Sequence, residues 1–104
     1  MTNQSDYEFI ESSLMLVLEE MEKQPEIGKS YPSGGMSYGD EMAQIREFIE
    51  FAGEYGLAFE YINSALEQFP YTISGKAAVK LLEVGLLMGF KSDSAKDKRF
   101  DRRH

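Results

Sequence analysis

Pro25, Gly53 and Pro70 cut this chain into four stretches, each of which reads as one amphipathic helix. A proline drives the residue before it out of helical backbone, and a glycine just past a periodic run supplies the left-handed stop. In the first stretch Tyr7, Ile10, Leu14, Val17, Leu18 and Met21 recur at spacings of three and four, which places them on one face. The S-x-x-E order of Ser5 to Glu8 predicts a capped start, so this helix is expected over about 6–24. Asp40 is the expected cap of a second helix over 40–52, with Met42, Ile45, Phe48 or Ile49, and Ala52 inward. A third spans 54–69 on Leu57, Ala58, Tyr61, Ile62, Ala65, Leu66 and Phe69. Ser74 caps a fourth over 74–88, with Ile73 and Ala78 placed as a hydrophobic staple. Its inner face is read as Ala78, Leu81, Leu82, Gly85 and Met88, and Gly89 followed by Phe90 as its Schellman ending. No strand pair or hairpin signal interrupts this pattern. The expected fold is all-α, a small four-helix bundle-like single domain over residues 1–90.

Residues 26–39 are rich in Gly, Pro and Ser and read as a loop between the first two helices. Connections in helical bundles usually run about 2–8 residues, so a loop this long is expected to be mobile or functional. Tyr31, Met36 and Tyr38 either pin it to the core or are offered to a partner. Residues 91–104 are Lys- and Arg-rich with one aromatic side chain, Phe100, and are expected to be a disordered basic tail.

Charge and chemistry narrow the function. Residues 1–90 hold 15 acids against 5 bases, a net of −10, while the tail carries +3. An acidic body repels nucleic acid and speeds capture of cationic surfaces. There is no cysteine, and the single histidine is His104, the last residue. Disulfides, thiolates, histidine-based triads and zinc sites are thereby excluded as expectations. Gly28-Lys29-Ser30 has the ending of a P-loop, but Lys23 stands where the leading glycine belongs. Glu47, Glu50 and Glu54 share a spacing that fits a solvated or binding face better than a catalytic carboxylate pair. The chain is therefore expected not to be an enzyme, and to use no cofactor or metal. It lacks the order of a signal peptide, and no apolar run reaches the roughly 18–20 residues of a membrane span. A cytoplasmic protein with no membrane or nucleic-acid partner is expected, monomeric by preference.

Gly53-Glu-Tyr-Gly-Leu-Ala-Phe-Glu60, the Ile73-Ser74 step, and Leu81 through Met88-Gly89-Phe90 together resemble the MafI-type immunity proteins. Those small proteins accompany secreted or contact-delivered bacterial toxins, many of them nucleases. The likeness covers residues 53–90, and the Gly-rich loop and basic tail depart from the family pattern. It implies an immunity protein of the contact-dependent growth inhibition type, whose partner is the C-terminal nuclease domain of a cognate toxin. A ribonuclease of EndoU type is implied by the resemblance alone. A basic nuclease must carry a cationic substrate groove, because neutralising phosphate drives its binding to nucleic acid. An acidic protein placed over that groove would occupy the phosphate sites.

The partner-binding residues expected on these grounds are Glu47, Glu50, Glu54, Tyr55 and Glu60, with Tyr31 and Tyr38 from the loop. The alternative is a helical adaptor or regulatory subunit that binds a non-toxin protein. An exposed apolar patch of several hundred Å² would favour it.

Overall fold

The computed structural model of the protein describes residues 4–89, with side chains from Asp6 onward. Four α-helices carry the fold: α1 (Gln4–Glu22), α2 (Tyr38–Glu47), α3 (Tyr55–Gln68) and α4 (Gly75–Gly89). Among the described residues there is no strand, and the fold is all-α. α1 starts slightly ahead of expectation, so Ser5 lies inside its first turn and not at its cap. Phe90 and the expected tail, residues 91–104, lie outside the described residues.

The segment read as an open loop contains more structure than its composition implied. Pro25–Ser30 forms a short 3-10 helix that buries Ile27. Ser37, not Asp40, caps α2, its hydroxyl accepting the Asp40 N–H at 3.1 Å. Asp40 instead sits in the first turn, where a carboxylate favours the positive end of the helix. α2 then widens into one π-helical turn, Phe48–Ala52, and stops at Gly53. There φ is +63°, a left-handed conformation that glycine adopts without a Cβ penalty. The N–H groups of Gly53 and Glu54 both donate to the Phe48 carbonyl, the latter at 2.8 Å, closing the helix end.

The core is built from Leu14, Val17, Leu18 and Met21 of α1, Ile45 and Ile49, Ala58 and Ile62 of α3, and Ala77 and Val84 of α4. The first three apolar stripes fall as expected except at their margins, where Tyr7, Ala52 and Leu57 face solvent. α4 is rotated from the reading of its sequence. Ala77, Leu81 and Val84 point inward, while Ala78 and Leu82 point out; of the pair expected as a staple, Ile73 packs against the core and Ala78 is exposed. Gly85 does permit a close approach, since a Cβ there would meet the tip of the Phe59 ring at 3.0 Å.

α4 packs antiparallel to α1. Lys80 lies 4.9 Å above the Phe9 ring near one end, and Glu20 reaches Ser74 at the other. The Glu20 carboxylate accepts the Ser74 N–H at 2.7 Å and its hydroxyl at 2.6 Å. The same Ser74 oxygen accepts the Ala77 N–H at 3.0 Å, which is the cap expected from the sequence. One helical turn on, the Gln24 amide donates to the Glu20 and Thr72 carbonyls and accepts from the Thr72 N–H at 3.0 Å. Glu20 and Gln24 thus clamp the α3–α4 connection onto the end of α1.

The clamp predicts a pH signature. The two bonds from Ser74 hold the Glu20 carboxyl below its ordinary value of 4.5. A carboxylate depressed in the fold stabilises it fully above the unfolded value, and that contribution fades as pH falls through the lower folded value. Glu20→Gln should therefore cost about 1 kcal/mol at pH 7, discounted for exposure, and the difference should shrink towards pH 3. Thermal melts of both proteins across that range check this, and a constant difference would contradict it.

Candidate functional site

Which side chains can meet a partner follows from how α2 divides its faces. Met42 and Ile45 point into the core, Arg46 turns towards α1, and Glu41 turns towards the Tyr31 side. That leaves Asp40, Ala43, Gln44 and Glu47, spaced three and four apart, as an outer stripe. The Gly34-Gly35-Met36 turn rises beside that stripe and walls an open groove of about 630 Å³. Met36 is 42 % exposed, and Asp40 and Glu47 stand about two turns of helix apart along the floor. The groove has a flexible thioether at its edge, an alanine in its middle, and two carboxylates. It can take an apolar side chain with cationic groups on either side.

The seven residues singled out from the sequence do not form one cluster. Glu47 lines the groove just described. Glu50 is engaged: Arg46 bridges it at 2.9 Å and Glu22 of α1 at 2.6 Å, a three-member ion network that ties α2 to α1. The neighbouring carboxylates raise the Arg46 guanidinium above its usual value, Glu22 first through its hydrogen bond. Glu54 is exposed at the start of α3 and makes no side-chain cap there. Glu60 lines a second, smaller cleft of about 260 Å³ between α2 and α3, with Glu41, Tyr61 and Ser64. Tyr55 leans on Tyr7, with ring centroids 6.3 Å apart, and donates to Glu11 at 3.3 Å. Burial and the Glu11 charge push its hydroxyl up, so it stays a donor.

Tyr31 and Tyr38 hold the loop to the body and are not displayed at its tip. The Tyr31 ring stacks on Phe69 at 3.8 Å and 10°, and meets Tyr38 edge-on at 6.2 Å. Its hydroxyl donates to Glu41 at 2.7 Å and lies 2.7 Å from the Tyr71 hydroxyl. Tyr31 has a single proton, committed to the carboxylate, so Tyr71 supplies the proton of the second bond. Burial raises both phenols, Tyr31 far above the ordinary range and Tyr71 to about 12. Tyr38 donates to the Met21 carbonyl at 3.0 Å, satisfying one of the last acceptors of α1. Of the two roles open to these tyrosines, the structure gives the pinning one.

Of the groove's lining only Glu47 was expected from the sequence as a binding residue; Gly34, Gly35, Met36, Asp40, Ala43 and Gln44 were not. Met36 was visible only as a loop residue of undecided role, and Asp40 only as a cap. The groove exists because the pinned Tyr31 and the Ser37 cap fold the glycines back over α2, a tertiary fact that no local spacing announces. No group of three or more His, Asp or Glu side chains placed to hold a metal occurs among the described residues. No helix among them is long and apolar enough to cross a membrane.

No protein-family profile, curated protein or solved structure matches this chain. Within residues 53–90, Gly53 is the left-handed stop of α2, Ala58 is core, and Ser74 caps α4. Leu57, expected in the core, is 41 % exposed.

Proposed function

We propose that this chain is a non-catalytic immunity protein that binds and neutralises a cationic toxin nuclease, by setting its acidic α2 face over the toxin's substrate-binding surface. The observation that carries this reading is the groove in which Met36, Asp40 and Glu47 come together on a body of net charge −10. Carboxylates along α2 would stand in for the phosphates of the toxin's substrate, and Met36 would take up an apolar anchor between them. The long-range field of the body would steer encounter, which matters when a toxin must be stopped before it cuts. The resemblance over residues 53–90 supports the class of partner, and supports an EndoU-type ribonuclease within that class.

The test is co-purification of this chain with the polypeptide encoded immediately upstream of it, together with rescue of cells that express the C-terminal domain of that polypeptide. Tight, salt-sensitive binding with rescue is the expected result. Absence of both would sink the reading and favour a helical adaptor instead. One observation already speaks for the adaptor: Val79, Leu82 and Leu86 leave an apolar face of α4 open to solvent.

A further inference from the structure

Acid and base are segregated along this chain. Residues 1–90 carry a net of −10, whereas 91–104 hold six bases against three acids. Several of the body's carboxylates are engaged within the fold: Glu20 holds Ser74, Glu22 and Glu50 share Arg46, and Glu41 takes the Tyr31 proton. Asp40 and Glu47 are not. Both are exposed, and neither meets a basic side chain within ion-pair distance among the described residues. Between them the groove presents Met36 and Ala43.

The segment Lys96-Asp-Lys-Arg-Phe-Asp-Arg-Arg103 carries the complementary order. Side chains alternate along an extended chain, so Lys98, Phe100 and Arg102 would share one side while Asp97 and Asp101 fall on the other. Lys98 and Arg102 would then be about 13 Å apart, with the phenyl ring midway. Asp40 and Glu47 are separated by about 10.5 Å along their helix, a difference that long basic side chains absorb by leaning inward. The distance to be covered is short. Met88 Cε lies 3.7 Å from where a Cβ on Gly56 would stand, so α4 ends beside the start of α3, just past the turn that continues α2. Glu47 precedes the end of that turn, Ala52, by about 8 Å of helix. The chain from Gly89 to Phe100 can span up to about 36 Å.

We infer that residues 96–103 fold back onto the α2 groove of their own chain, with Phe100 against Met36 and Ala43, Lys98 at Glu47 and Arg102 at Asp40. Approach from the Glu47 end sets this direction. A tether this short holds the segment at an effective concentration on the order of millimolar. A contact with an intrinsic dissociation constant of about 1 mM therefore keeps about half of the molecules occupied. The basic tail thus has a seat, where the sequence suggested a free terminus. Any partner of the groove must displace it, which makes the segment a built-in competitor. That use rests on the immunity reading, whereas the contact itself does not.

Paramagnetic broadening in the full chain tests the contact. The chain has no cysteine, so Asp101→Cys carries a single nitroxide, on the side of the segment turned away from the groove. At about 20 mM salt the Met36 methyl and the amides of 40–47 should lose at least ~3-fold more signal than the Val79 and Leu82 methyls of α4. Raising salt to about 0.5 M should erase the difference. Lys98→Glu with Arg102→Glu should erase it as well. Arg99→Glu with Arg103→Glu changes the charge equally on the other side of the segment, and should leave more than about half of it. Even broadening over the whole surface would overturn the inference. So would broadening strongest at Val79 and Leu82, which would seat the tail on α4, or equal losses from the two charge reversals. No toxin enters this measurement, so a failure of toxin binding would sink the immunity reading and leave these outcomes to decide the contact.

Discussion

Tyr31→Ala should lower stability by about 3 kcal/mol and the melting temperature by roughly 12–20 °C. The loss combines the stack on Phe69 with two hydroxyl bonds, and it leaves the Glu41 carboxylate and the Tyr71 hydroxyl without their shared partner. Tyr31→Phe keeps the stack and removes only the hydroxyl, so it should cost about 1–1.5 kcal/mol. Differential scanning calorimetry on the three proteins separates two roles for this residue. A side chain that pins the loop gives this graded loss of stability. A side chain offered to a partner would give little change in melting temperature and a large loss of affinity instead. That outcome would restore Tyr31 as a binding residue and undo the account of the groove, whose wall depends on the pinned loop.

Putting two lysines into the groove should abolish most of the partner's affinity. Met36→Lys combined with Glu47→Lys is expected to weaken binding to a cationic nuclease at least ~100-fold, with association slowed and protection lost. Both side chains are exposed and hold up nothing, so the melting temperature should move by no more than about 3 °C. Asp40 is left in place because its charge also supports the start of α2. Glu54→Lys and Glu60→Lys, which lie away from the groove, serve as controls of equal sign. They change the field around the body but not the proposed contact, so their effect should be several-fold smaller. Equal losses at all these sites, measured by surface binding kinetics against the upstream-encoded toxin domain, would mean that net charge and not the groove governs recognition. Glu50→Lys makes a poor probe, since it breaks the Arg46 network and mixes stability with binding.

The helix count was legible because each boundary is written in a few adjacent residues. Pro25 and Pro70 forbid continuation, Gly53 takes the left-handed stop, and Ser74 supplies a hydroxyl where orphan N–H groups need one. The start of α2 was misplaced: Asp40 was the expected cap, but Ser and Asp cap about equally well, and the loop's path to Tyr38 puts the Ser37 hydroxyl at the helix start. The face of α4 was not legible. Lys76, Lys80 and Glu83 form one polar flank, and the side opposite them holds Ala78 and Gly85. The buried side of the helix is instead the neighbouring one of Ala77, Leu81 and Val84, and apolar residues fill both. Its orientation comes from packing against α1 and from the Phe59 ring over Gly85. Glu20 and Gln24 were hidden for a different reason. Surface-type residues carry no periodic signal, and their partners lie some fifty positions away in the chain. For the site, the sequence carried the sign of the charge and the residues of the loop. It did not carry their arrangement, which hangs on Tyr31, Phe69 and Tyr71 meeting from three separate segments.

The pairing of α1 with α4 has a bearing on synthesis. The first described helix finds its principal neighbour in the last one, and the Glu20–Ser74 and Gln24–Thr72 clamps join them across most of the chain. A ribosome releases the segments in order, and contacts between distant positions must await the later of the two. While α2 and α3 are being made, Leu14, Leu18 and Met21 lack the wall that Ala77 and Val84 later provide. The nascent protein is thus expected to stay open until residues 74–84 have cleared the exit tunnel, and then to close in a single late step.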